Sequence, residues 1–190
     1  MRMATAEAIK GQFPDVRVTI MTPCLEIDRY AYNGDPIVQC SRRDPAKAAL
    51  LIGRALWWKT ARQLLGKDLH LPSESEEFCS YLDADLIVDL SGDGITEEYG
   101  LRCTLSHLVP IVVGLILGKP VFLCAQTIGP LKKSCVLAKL LMNRVSAVSA
   151  REQTSMDYLR RLGIRGSKLF LSADMAFFLK ACSTLHAIDI

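Results

Sequence analysis

Between Asp85 and Ser172 the chain repeats one pattern, a short strand-like run followed by a stretch with helical spacing. The runs are DLIVDL (85–90), VFLCA (121–125), VSAVSA (145–150) and SKLFLS (167–172). Leu101 to Leu117, Leu131 to Asn143 and Glu152 to Leu162 are the helical stretches between them. Pro110 must kink or restart the first, and Gly163 closes the last. A helix between two strands returns the chain to the edge where the previous strand began, so the next strand runs parallel to it. The pattern predicts an α/β fold: a Rossmann-like open parallel sheet with helices on both faces.

The first eighty residues are less regular. Thr5 to Gln12 reads as a short helix and Val16 to Met21 as a strand. Tyr32 to Pro36 carries turn chemistry, and Ile37 to Cys40 is long enough for a short strand. Asp44 as N-cap and Pro45 in the first turn start a long helix through about Leu65. Trp57 and Trp58 sit on it, for core or partner packing. Ser73 to Tyr81, with its S-x-x-E start, reads as a capped helix. The chain opens on a helix where doubly wound domains open on a strand, and KACSTLHAIDI trails off after the last run. A fold clipped at both ends is therefore expected.

Half of the 190 residues are hydrophobic and 23% are charged, which describes a folded chain. A formal charge of +3 with no long basic run gives no footing for nucleic acid. Seven cysteines, an odd number with no C-x-x-C pair, point to scattered reduced thiols rather than a disulfide framework or a zinc site. No metal is expected. The start, MRMATAEAIKGQF, lacks the apolar core of a signal peptide. LSHLVPIVVGLILGKPVFL is broken by His107, Pro110 and Lys119-Pro120 into runs too short to cross a bilayer. A cytoplasmic location, without a membrane span, is the expectation.

In open parallel sheets ligands bind beyond the carboxyl ends of the strands. Ser91-Gly92-Asp93-Gly94 follows DLIVDL, and Gln126-Thr127-Ile128-Gly129-Pro130 follows VFLCA. Arg151-Glu152-Gln153-Thr154-Ser155 follows VSAVSA, and Ala173-Asp174 follows the last run. Gly92 and Gly94 permit close backbone approach, and Arg151 offers a fork of donors for a carboxylate or phosphate. Taken singly, each cluster has a plainer reading, as a turn, a surface ion pair or a cap. Gathered on one rim, they suit a small anionic or hydroxyl-rich ligand.

The order of these motifs resembles the polysaccharide pyruvyl transferase family. DLIVDLSGDG, GKPVFLCAQTIGPLKK, SAREQTSMDYLRRLGI and LSADMAFFL carry the resemblance. It is close over 83–179 and loose before that, within one incomplete domain over 1–179 followed by a tail at 180–190. It implies one half of a two-domain, glycosyltransferase-B-type transferase. Such an enzyme moves pyruvate from phosphoenolpyruvate to a sugar of a cell-surface polysaccharide and needs no cofactor. Phosphoenolpyruvate and a glycan acceptor are then the partners. By position, Arg151, Gln126, Thr127, Gly129 and Ser155 are implied to bind the donor. Gly92, Asp93, Gly94 and Asp174 are implied to form the acceptor side or its loop. Asp93 departs from the family's all-glycine turn; a carboxylate there repels phosphate, so this loop is expected to face sugar hydroxyls.

The family's opening strand and G-N-x-G-D loop do not precede the first helix here, and Asn33-Gly34-Asp35 reads as a turn. The family's second half, with its R-x-H-like motif, has no counterpart, and His70, His107 and His186 do not align with it. His107, inside an apolar helix, reads as packed rather than catalytic. No catalytic residue can be assigned. The isolated chain is expected to be inactive unless a separate chain supplies the second half. A non-catalytic binding or assembly module and a half-domain of a sugar-nucleotide glycosyltransferase are the alternatives.

Overall fold

The computed structural model describes residues 2–26, 28, 35–66 and 75–178. Asn33, Gly34, His70, Ser73, Cys182, His186 and the tail at 180–190 lie outside the described residues. Helix α1 (Arg2–Gln12) leads to strand β1 (Ile20–Thr22) and then β2 (Ile37–Gln39). Helices α2 (Pro45–Leu65) and α3 (Glu76–Asp83) follow. The remainder alternates as predicted: β3 (Ile87–Asp89), α4 (Leu101–Ile116), β4 (Val121–Gln126), α5 (Cys135–Met142), β5 (Ala147–Ala150), α6 (Gln153–Leu162) and β6 (Leu169–Leu171). The strands are parallel, with helices on both sides, consistent with a Rossmann-like open sheet. They form two groups: a pair β1-β2, and a four-stranded sheet in the order β3-β4-β5-β6.

Local chemistry sets the helix limits. Asp44 has extended backbone, and its Oδ1 accepts from the N–H groups of Ala46 at 3.0 Å and Lys47 at 3.3 Å, capping α2 ahead of Pro45. Gly66, at φ 62°, ends it by donating to the Arg62 carbonyl. Between the caps, Ala48, Leu51, Ala55, Trp58 and Ala61 form the buried stripe, at helical spacing. Trp58 is core, with the Arg62 guanidinium 5.1 Å over its ring, while Trp57 is exposed. At α3 the cap is Ser75, whose Oγ accepts from the Phe78 N–H.

Two apolar clusters result. One joins the four-stranded sheet to α4, α5 and α6 through Leu108, Ile111, Leu123, Met142, Val148 and Leu159. The other joins α2, α3 and the far end of α4 through Leu51, Trp58, Phe78, Tyr81, Val113 and Leu117. Helix α4 therefore supplies both, and it runs through Pro110 unbroken. Burying both flanks of the proline holds the helix together against the one hydrogen bond it lacks. No helix among the described residues is long and apolar enough to cross a membrane. Among the described residues Cys24, Cys40, Cys103, Cys124 and Cys135 are free thiols.

The strand over Val16 to Met21 and the helix from Leu131 are both shorter than expected, each for a non-local reason. The strand expected over Val16 to Met21 exists only where β2 pairs with it, from Ile20↔Ile37 to Thr22↔Gln39. The helix expected from Leu131 starts at Cys135. The N–H groups of Lys132, Lys133 and Ser134 instead donate to the Glu97 carboxylate, at 3.0, 3.2 and 2.7 Å.

Candidate functional site

The carboxyl ends of β3, β4, β5 and β6 lie on one edge, and their loops are bonded to one another. The Thr127 N–H donates to the Gly92 carbonyl at 2.8 Å, and the Gly129 N–H to the Ile95 carbonyl at 2.9 Å. The Arg151 N–H donates to the Gln126 carbonyl, and the Ser172 N–H to that of Ala150. The loops expected to form the rim are thus joined to one another.

Arg151 is the hub. Its Nε donates to Thr127 Oγ1 at 2.6 Å, and its Nη1 to Asp174 Oδ2 at 2.7 Å. Thr127 Oγ1 donates onward to Glu152 Oε2 at 3.0 Å. The other Glu152 oxygen accepts from Ser155 Oγ, which itself accepts from the Ile128 N–H at 3.0 Å. The R-E-x-x-S spacing thus has a plain geometric meaning. Arginine and glutamate both grip one threonine of the neighbouring loop, while the serine, one helical turn on, fastens that loop's backbone. Asp174 is held below the usual carboxylate range by the Ala176 N–H on its Oδ1 and by Arg151. It remains charged opposite the guanidinium, and both side chains are roughly three-quarters covered, at 22% and 25% exposure.

Gln126 is placed differently from its neighbours. It is fully buried, below the rim, and its Nε2 donates to the Asp89 carbonyl at 2.9 Å. The cause is one residue earlier. Ala125 has φ 51°, a left-handed conformation that costs a residue with a Cβ roughly 1–2 kcal/mol. Opposite it the register slips, with Leu123 facing Val148 but Gln126 facing Ala150, so β4 carries one extra residue. The bulge turns the Gln126 side chain inward, where it ties β4 to β3. Its Oε1, like the Oδ2 of buried Asp89, has no hydrogen-bond partner among the described residues. Burial pushes the Asp89 carboxyl up, against the opposing pull of Ser91 on its Oδ1.

The glycines serve approach and packing. A Cβ on Gly94 would lie 2.3 Å from the His107 imidazole, so the ring packs closely against the loop. Gly129, at φ 90° before a cis Pro130, has the Tyr158 ring 2.6 Å from where its Cβ would be. Asp93 is exposed and accepts from the Tyr99 hydroxyl at 2.9 Å, which raises that phenol's pKa.

Three further residues belong to this edge, and sequence reasoning gave none of them a place there. His107 is packed, as expected, but against the rim loop and only half-buried, with Nδ1 2.9 Å from the Cys103 carbonyl. Its pKa is lowered by burial. Glu97 gathers the chain after Pro130 and is thereby held down to about 2, chiefly by the Ser134 hydroxyl and N–H. Arg42 reaches the rim from the end of β2, its Nη1 donating to Ser91 Oγ at 3.3 Å. Applying the strand-end rule to Ile37–Cys40, as to the later runs, would have found it. Among the described residues, no group of His, Cys, Asp and Glu could hold a metal ion.

A family model for polysaccharide pyruvyl transferase matches residues 1–184, so it takes in the irregular first eighty residues as well as the motif-bearing region. The amylovoran biosynthesis protein AmsJ of Erwinia amylovora is 26% identical over 117 residues, covering 60% of this chain. The chain spans 27% of that relative's length. No solved structure matches it. With nearly its whole length matched, and with the motifs of that match gathered on one edge of a parallel sheet, the chain belongs to the polysaccharide pyruvyl transferase family.

Proposed function

We propose that this chain takes part in pyruvyl transfer from phosphoenolpyruvate to a sugar hydroxyl of a polysaccharide, and that the linked rim is its substrate edge. The observation that carries the reading is the seat of Arg151 at the joined ends of β4, β5 and β6. Ketal formation needs the enol carbon protonated, one sugar hydroxyl added, and phosphate released as a second hydroxyl of the same sugar closes the ketal. Those steps call for fixed cationic donors beside a hydroxyl-binding surface. Arg151 supplies a preorganised guanidinium, steadied by Thr127 on one side and Asp174 on the other. Thr127, Gly129 and Ser155 shape the donor loop, and Gln126 supports it from beneath. Gly92, Asp93 and Gly94 offer the neighbouring loop to sugar hydroxyls, with the Asp93 carboxylate as acceptor. In this reading the chain forms one half of a glycosyltransferase-B-type cleft in the cytoplasm. A second half, on the same or another polypeptide, completes the catalytic set.

Calorimetric titration of the chain with phosphoenolpyruvate tests this directly. Saturable binding that a uridine diphosphate sugar does not displace is expected. Binding of the sugar nucleotide in the absence of any response to phosphoenolpyruvate would instead favour a sugar-nucleotide glycosyltransferase.

A further inference from the structure

Arg42 is a second guanidinium on the rim, and it differs from Arg151 in having no carboxylate partner among the described residues. It follows β2, is half-buried, and among the described residues makes one side-chain hydrogen bond, to Ser91 Oγ at 3.3 Å. That hydroxyl donates to Asp89 Oδ1, which leaves its lone pairs to receive Arg42. A guanidinium carries several N–H donors in a planar fork, so most of this one's donors are uncommitted.

Two buried acids lie in this region, and one oxygen of each is bonded elsewhere, while Asp89 Oδ2 has no hydrogen-bond partner among the described residues. Asp89 Oδ1 accepts from the N–H and hydroxyl of Ser91. Glu77 Oε1, from α3, accepts from the Ser41 N–H at 2.9 Å. Neither carboxylate forms an ion pair with Arg42 among the described residues. A half-buried arginine held by a neutral hydroxyl keeps its charge available to an external anion.

Its position also matters. Among the described residues the β1-β2 pair and the β3-β4-β5-β6 sheet are not hydrogen-bonded to each other, and Arg42 spans the break from the end of β2 to the end of β3. Open α/β sheets bind ligands beyond the carboxyl ends of their strands, which is where Arg42 stands.

We propose that Arg42, seated on Ser91, forms a second anion-binding subsite at the break between β2 and β3, joined to the Arg151 site by the Ser91–Gly94 loop. It takes a phosphate or carboxylate group. Phosphoenolpyruvate bears both, so on the pyruvyl-transfer reading each guanidinium grips one end of the donor. Only the identity of the anion rests on that reading.

Two measurements on the whole chain test it. The first treats the parent protein with phenylglyoxal, which modifies accessible guanidinium groups, and follows each arginine by mass spectrometry. Phosphoenolpyruvate should slow modification of Arg42 by several-fold and leave exposed Arg43 unchanged. Protection by inorganic phosphate but not specifically by phosphoenolpyruvate would uphold the subsite and count against the pyruvyl-transfer reading. An Arg42 that reacts at the same rate with and without either anion overturns the subsite. The second measures phosphoenolpyruvate affinity by calorimetry. Arg42→Ala should weaken it about tenfold or more, Arg42→Lys by less, and Arg43→Ala not at all. An Arg42→Ala protein that is folded by circular dichroism and binds like the parent also overturns the subsite, and leaves pyruvyl transfer standing on Arg151.

Discussion

Arg151 and Asp174 meet across the ends of β5 and β6, Nη1 to Oδ2 at 2.7 Å, while the same guanidinium bonds Thr127 from β4 at 2.6 Å. One side chain therefore fixes three strand ends relative to one another. Pair and ligand compete for the same charge: Asp174 holds the arginine in place and also tempers its attraction for an anion.

Arg151→Ala should weaken phosphoenolpyruvate binding by about tenfold, the size of one charge-assisted bond. Arg151→Lys should restore part of the loss, because an ammonium keeps the charge without the fork. Arg160, on the following helix, is exposed and pairs with Asp157 at 3.2 Å, so Arg160→Ala should bind like the parent. Isothermal titration of the three variants checks the order. Equal affinity of Arg151→Ala and parent would make the arginine a structural tie only.

Ala125 should tolerate glycine but no larger side chain. Glycine relieves the left-handed strain of roughly 1–2 kcal/mol while giving up a buried methyl worth about 0.8 kcal/mol. Ala125→Gly should thus stay within about 1 kcal/mol of the parent. Ala125→Val adds a branched Cβ at φ 51° in a fully buried site and should lose about 2 kcal/mol or more. Urea unfolding with an unchanged m-value is the measurement.

Gly129→Ala meets two penalties at once, a φ of 90° and the Tyr158 ring 2.6 Å from the new methyl. A stability loss of about 2–4 kcal/mol is expected from strain plus overpacking. Gly166→Ala, where nothing lies within 4 Å of the new methyl, is the control and should change stability by less than about 1 kcal/mol. Similar unfolding midpoints for the two variants would show that the loop yields freely to Tyr158.

Glu97 predicts the direction of one acid transition. Its folded pKa, about 2, lies below its ordinary value of 4.5, so the unfolded chain binds its proton first as the pH falls. Its stabilising contribution is complete above pH 4.5 and is lost between there and about 2. Glu97→Gln should flatten the stability profile in that window relative to the parent, and should loosen residues 132–134 by hydrogen exchange. A parent and variant with parallel profiles from about pH 5 down to about pH 2.5 would refute it.

Much of the architecture was legible in short-range chemistry. Asp44-Pro45 and Gly66 bound α2, and Gly163, at φ 81°, ends α6, because capping is settled within a few residues of the helix end. The alternation from β3 to β6 was equally plain, since apolar periodicity is local. So was the rim, because the parallel order requires every strand of the sheet to end on the same edge.

By itself the sequence determined the limits of α2, the end of α6, the α/β alternation and which loops share an edge. Tertiary structure decided which way the side chains on that edge turn. Gln126 faces inward because β4 bulges opposite β5, and its pairing with Ala150 exists only in the folded sheet. Arg42 reaches Ser91, 49 positions along the chain, because two separate sheets end side by side. His107 lies on Gly94 because α4 packs against the loop that precedes it. Caps and periodicity are decided between near neighbours in the chain, whereas the direction a side chain takes depends on residues that only folding brings beside it.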